Sequence, residues 1–325
     1  MAANPVRAQP PNPAPGASRP ATVRLGVFSP SVVLGVAAAT GALARAGLGV
    51  QEISVLSSPQ QFSLLLEGGL DAALTSPDNA MAYRRSAANS LGRTVDIRIL
   101  AAVDRGLGLS LFVGPGVDPA AGLRGSVLGV DAADSGFAVA AYELLERRGL
   151  RRSIDYEVEQ LGTTPARAAA LVAGRCAMTM LNAGSDLRAE AAGCTRVSRV
   201  SCLGPYIGTV FAALGDAVES DPSPLRRLTS VLVETCRALR AGELRETAVE
   251  VTRARLGLDA DGTERHLATL ADPAEGLVPD GRLDEKSLRT LSVLRSLHAE
   301  SEQADLGPGD ADEGLIDERF LGAGG

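Results

Sequence analysis

Clusters of hydroxyl, amide and carboxylate residues stand directly after short apolar runs, and their types suit recognition of a small polar molecule. Phe28, Ser29 and Ser31 follow Leu25-Gly26-Val27. Ser57 and Ser58 follow Ile53–Leu56, and Thr75, Ser76, Asp78 and Asn79 follow Ala72-Ala73-Leu74. Asp131, Ser135, Gly136 and Phe137 then stand after Leu128-Gly129-Val130, Gly162-Thr163-Thr164 after Val158–Leu161, and Asn182 with Asp186 after Met178–Leu181. Where such residues join a strand to a helix, free backbone N–H groups and the positive dipole end favour an anion or polar group. Ser29, Asp78 and Asp131 are also the candidates for chemistry, a carboxylate with its pKa raised by burial serving as general base. Ser29, Ser58, Ser76, Ser135 and Thr164 equally suit helix capping, which does not exclude ligand contact. Asp78 and Asp131 also suit solvated loops or arginine pairing. Tyr206, between Gly204-Pro205 and Gly208, reads as a cleft-edge aromatic or as ordinary packing.

The elements that must position these residues are written twice. Val23–Phe28 predicts a strand and Val33–Ala46 a helix, with Gly35 and Gly41 inside it as sites of close packing. Ile53–Leu56 predicts the next strand, Ser58 caps a helix begun by Pro59, Gly68-Gly69 ends it, and Ala72–Thr75 is a short buried strand. The same order recurs about a hundred residues later, where Thr164-Pro165 matches Ser58-Pro59 and Gly174 matches Gly68. Two like units leave a cleft between them, where small ligands bind. From Pro224 onward, Leu225–Arg240, Glu243–Arg255, Gly262–Leu270 and Asp284–Glu300 read as amphipathic covering helices. The expected fold class is therefore α/β: two Rossmann-like lobes with a ligand cleft between them and C-terminal helices covering. The expected division is a disordered proline-rich tail at 1–22, a first lobe at 23–104 plus 203–322, and a second lobe at 105–202. Hinges are expected near Asp104-Arg105 and Ser201-Cys202. Residues 300–319, with eight acids against Arg319, read as a solvated tail in which Leu315-Ile316 and Phe320-Leu321 could dock on the body.

Composition narrows the function. The chain has 325 residues, enough for two domains, and 45% of them are hydrophobic. Only 3% are aromatic and Trp is absent, which disfavours a stacked sugar platform. A net charge of −7 without a basic run argues against nucleic acid. No stretch reaches the length of a membrane span. Residues 1–22 carry six prolines and no apolar run or lipid-attachment cysteine, so the chain as written reads as cytoplasmic; a different true start would make it periplasmic or extracellular. Cys176, Cys194, Cys202 and Cys236 form no CxxC pair. His266 and His298 read as surface helix residues, leaving no histidine near the cleft. No metal and no cofactor is expected.

Val23-Arg24-Leu25-Gly26-Val27, the stretch Leu64–Leu74 with Gly68-Gly69-Leu70-Asp71-Ala72-Ala73, and Leu123-Arg124-Gly125-Ser126-Val127-Leu128-Gly129-Val130 together resemble the type II periplasmic binding proteins. The likeness is to the branch that binds alkanesulfonates, nitrate, taurine and thiamine-precursor pyrimidines, and it covers roughly residues 22–322. The chain departs from that pattern in lacking an export signal and in having Arg175-Cys176-Ala177 after Gly174. The resemblance implies a two-lobed substrate-binding protein of an ABC transporter, closing on an anionic or polar organic molecule, with a membrane permease as a possible partner. Because biosynthetic enzymes share this fold, it leaves as alternative a cytoplasmic dehydratase, decarboxylase or lyase working in the same cleft.

Overall fold

The computed structural model describes residues 21–298 and 314–322. The chain opens with β1 (Ala21–Val27), α1 (Val32–Ala39), α2 (Ala42–Arg45), β2 (Leu48–Ser54), α3 (Ser58–Leu66), β3 (Ala72–Thr75), α4 (Pro77–Arg85) and β4 (Ile97–Asp104). It crosses to β5 (Ser110–Val113), β6 (Ser126–Val130), α5 (Gly136–Glu146), β7 (Tyr156–Gln160), α6 (Thr164–Val172), β8 (Met178–Leu181), α7 (Ser185–Ala191) and β9 (Thr195–Arg199). It returns through a single 3-10 turn, Val200–Leu203, to β10 (Thr209–Leu214). Five helices follow: α8 (Gly215–Ser220), α9 (Pro222–Ala241), α10 (Arg245–Leu256), α11 (Ala260–Ala271) and α12 (Glu285–His298).

The strands form two five-stranded sheets of like topology, ordered β2-β1-β3-β10-β4 and β7-β6-β8-β5-β9. In each, a parallel core (β2-β1-β3, β7-β6-β8) is extended by antiparallel strands. All four residues of β3 and all four of β8 are buried, as strands covered on both faces require. Both connections between sheets run between paired positions: Asp104 lies opposite Thr209, and Ser110 opposite Arg199. The cores are aliphatic, centred on residues such as Leu25, Val36, Ile97, Leu111, Leu128 and Leu171. Each such fully buried side chain contributes about 1.5–3 kcal/mol.

Several local expectations are revised. The first helix breaks in two at Thr40-Gly41, because Gly41 adopts φ +74°, a left-handed conformation. Gly35 does mark close packing: a Cβ there would lie 2.6 Å from both the Val251 and Arg255 side chains of α10. The caps of α3 and α6 are Ser57 and Thr163, one residue earlier than Ser58 and Thr164. β10 was not foreseen as a strand, although Thr209-Val210-Phe211 has the β-branched and aromatic character of one. The expected tail at 1–22 lies outside the described residues except for Ala21 and Thr22, which begin β1. Of the acidic C-terminal segment, 314–322 is described. There Leu315 and Phe320 are buried, and residues 315 and 317 exchange backbone hydrogen bonds with Ile99.

α12 packs on both lobes. It touches α4 of the first and α5 of the second, where His298 Nε2 lies 2.6 Å from Glu143 Oε2. No helix among the described residues is long and apolar enough to cross a membrane.

Candidate functional site

Between the sheets, beyond the carboxyl ends of the parallel strands, lies a cavity of about 940 Å3 counting its mouth. The first lobe contributes Phe28, Ser29 and Ser31 after β1, and Thr75, Ser76 and Asn79 after β3. The second contributes Asp131, Ser135 and Phe137 after β6, Thr164 and Arg167 on α6, and Asn182 after β8. Asp104, Leu107, Gly208 and Thr209 enter from the two connections. Leu256 of α10 and His266 and Leu270 of α11 complete the wall.

Helix capping sets much of this geometry. Ser31, Ser76 and Ser135 cap α1, α4 and α5, their hydroxyls accepting from Leu34, Asp78 and Ala138 N–H. Ser135 also donates to Asp131 Oδ1 at 2.7 Å. Asn79 reaches between lobes, its Oδ1 accepting from Gly136 N at 3.0 Å. Asn182 donates to Gly106 O at 2.9 Å and fixes the connection after β4.

Seven expected site residues stand outside the cavity wall: Ser57, Ser58, Asp78, Gly136, Thr163, Asp186 and Tyr206. Ser57 and Thr163 serve as caps, and Ser58 is buried. Asp78 is neither a solvated loop acid nor a cavity group. It forms a two-pronged ion pair with Arg295 of α12, each side chain 2% exposed; Arg295 Nε donates to Oδ1 at 2.9 Å and Nη2 to Oδ2. Arg295 also donates to Asp134 O of the second lobe at 2.8 Å, so this side chain ties the lobes together. Gly136 lies on the same seam, where a Cβ would sit 2.6 Å from Ser76 Oγ and 2.9 Å from Asp78 Cβ. Asp186 accepts from Gly184 N at 2.9 Å and lies 3.5 Å from Arg196. Burial pushes its carboxyl up to about 6. Tyr206 is buried, its hydroxyl without a hydrogen-bond partner among the described residues.

Arg167, Asp104 and His266 were not foreseen in the wall. Arg167, 2% exposed, donates to Gly162 O (2.6 Å), Thr164 Oγ1 (3.1 Å) and Met180 O (3.3 Å), and its Nη1 lies 3.9 Å from Asp131 Oδ1. Burial pushes the Asp131 carboxyl up, with Arg167 opposing, and pushes the Arg167 guanidinium down. Asp104, 3% exposed, accepts from Gly106 N at 2.8 Å and from Thr209. Burial pushes it up to about 6. His266 overturns the expectation of a surface histidine and of a cleft without one: it is 2% exposed, burial pushes it down to about 4, and its Nε2 has no partner among the described residues. His298 is likewise packed, its side chain 8% exposed against α5. The signal for Arg167 was present, since it stands one helical turn from the Thr163 cap and so faces the same end of the strands. For His266 there was none, because an amphipathic pattern does not reveal which body the apolar face covers.

No protein-family model matches this chain, and no curated protein matches it in sequence. Solved structures match its fold. The alkanesulfonate-binding protein SsuA from Xanthomonas axonopodis pv. citri, bound to MOPS, superposes with a TM-score of 0.70 at 16% identity, over 92% of this chain and 99% of that one. A ligand-binding component of an ABC-type import system from Staphylococcus aureus, with zinc bound, gives 0.71 at 13%, over 93% and 98%. The desulfurization enzyme DSZB gives 0.59 at 16%, over 93% and 97%. The chain has the two-lobed periplasmic binding protein fold.

Proposed function

We propose that this chain is a small-molecule binding protein that encloses one organic ligand between its lobes, in the manner of an ABC importer's solute-binding component. The observation that carries this is the cavity itself. Both lobes, both connections and α11 contribute to one wall, mostly apolar with a few convergent polar groups, the usual composition of a ligand site. Enclosure of this kind requires the lobes to part for entry, which the two connections at Asp104–Ser110 and Arg199–Thr209 allow. The solute-binding neighbours support the reading, one of them the ligand-binding component of an ABC-type import system. We therefore also propose a membrane permease as partner, and with it a working location outside the membrane, the second of the two locations expected from sequence.

The test is native mass spectrometry of the protein purified from its own host, followed by incubation with the released molecule. Retention of one small molecule, recovered unchanged, is the expected result. Its consumption would overturn the binding reading and favour an enzyme, as DSZB is on this fold. Fractionation of host cells tests the location, with recovery only in the cytosol overturning the permease proposal.

A further inference from the structure

The charges of the cavity wall do not cancel. Arg167 faces Asp131 at 3.9 Å, so that pair is internally balanced. His266 is held neutral at physiological pH by its burial. Asp104 remains. It is 3% exposed, lines the cavity and makes no ion pair among the described residues; its contacts are the uncharged Gly106 N–H and Thr209. A carboxylate raised only to about 6 is ionised at neutral pH. A buried carboxylate without a cation is costly, and the usual remedies are a positive partner or loss of the charge.

The charged and amide donors of the wall are in part committed. Nη1 and Nη2 of Arg167 serve backbone and hydroxyl acceptors, the Asn182 amide serves Gly106 O, and the Ser135 hydroxyl donates to Asp131, while Ser31 and Ser76 accept at their caps and keep their own protons. Arg167 Nε and His266 Nε2 are the buried wall nitrogens without partners among the described residues. An anion would share the cavity with two carboxylates; a cation would bring its charge to zero.

Resting on the binding reading above, we infer that the ligand is an organic cation, a protonated amine or amidine on an apolar skeleton, whose charge pairs with Asp104. Phe28, Leu107, Phe137 and Leu270 receive the skeleton. His266 Nε2 meets a further polar atom of the ligand.

The test compares three probes of one skeleton on the full chain, benzylamine, benzoate and benzyl alcohol, by calorimetry and thermal shift. Benzylamine is expected to bind more tightly than benzoate by roughly tenfold or more. Asp104→Asn, which keeps the size and an acceptor oxygen, is expected to erase that preference without weakening benzyl alcohol. Asp186→Asn, an equal change of charge at a buried carboxylate outside the wall, is expected to preserve it. Tighter binding of benzoate, or a preference that survives Asp104→Asn, overturns the inference and leaves the binding reading standing. Failure of all three probes at millimolar concentration, together with no retained molecule from the host, removes both.

Discussion

Asp78 and Asp131 are both buried aspartates beside a buried arginine, one in each lobe, and they meet their partners differently. Asp78 takes two hydrogen bonds from Arg295 and stands outside the cavity wall. Asp131 lies 3.9 Å from Arg167, hydrogen-bonded to Ser135 instead, and lines the cavity. The Asp78–Arg295 pair stands outside the cavity wall and acts as a fastener between the lobes. Asp131 borders the cavity instead, where a ligand can reach it. In sequence both read alike, as acids in the loop after a strand.

Breaking the fastener has the largest expected effect. Asp78→Ala removes both hydrogen bonds that Arg295 gives Asp78 at a buried site and is expected to cost about 3–5 kcal/mol, seen in urea unfolding. A loss below about 1 kcal/mol, the range of a surface pair, would erase the contrast. A double-mutant cycle then compares the pairs directly. The coupling between Asp131 and Arg167 is expected to be smaller than that between Asp78 and Arg295, because no hydrogen bond joins the former, and equal couplings would contradict the distinction. Next comes the seam. Gly136→Val places a side chain against Ser76 and Asp78, with an expected cost of about 1–3 kcal/mol and a larger radius of gyration in small-angle scattering. An unchanged radius would mean that the lobes tolerate the intrusion.

The smallest effect is a pH dependence. His266 titrates near 6.5 when unfolded and near 4 in the folded protein. Between those values the unfolded chain holds more protons at this site, so its contribution to stability falls as the pH falls. Asp104 and Asp186, pushed up from 3.8 to about 6, act in the opposite sense, because the folded protein takes up their protons first as the pH drops through 6. His266→Gln removes only the first contribution. Unfolding curves at pH 7 and pH 5 are expected to show the variant losing less stability, or gaining more, than the parent chain. Equal differences would place the imidazole in contact with water.

The duplicated strand–helix order was legible because local physics writes it: short apolar strands, Pro at the first helical turn and a hydroxyl just before it. Phe28, Thr75, Asn79, Asp131, Phe137 and Asn182 could be named as candidates because strand ends are local. What could not be read depends on partners distant in the chain. Arg295 stands 217 positions after Asp78, and His266 reaches the cavity from a covering helix. The end of α1 was missed for a different reason: Gly41 serves equally well for close packing and for a left-handed turn, and only the second applies.

The placement of β10 between β3 and β4 also bears on how the chain is made. Among the described strands β4 pairs only with β10, and β10 follows the whole of the second sheet in the chain. During synthesis β4 emerges without its neighbour, and the open side of β3 waits from residue 75 until residue 209 is made. The second lobe has all its strands before that, so a vectorial order follows, with the later-written lobe assembling first and the earlier one closing around its returning strand.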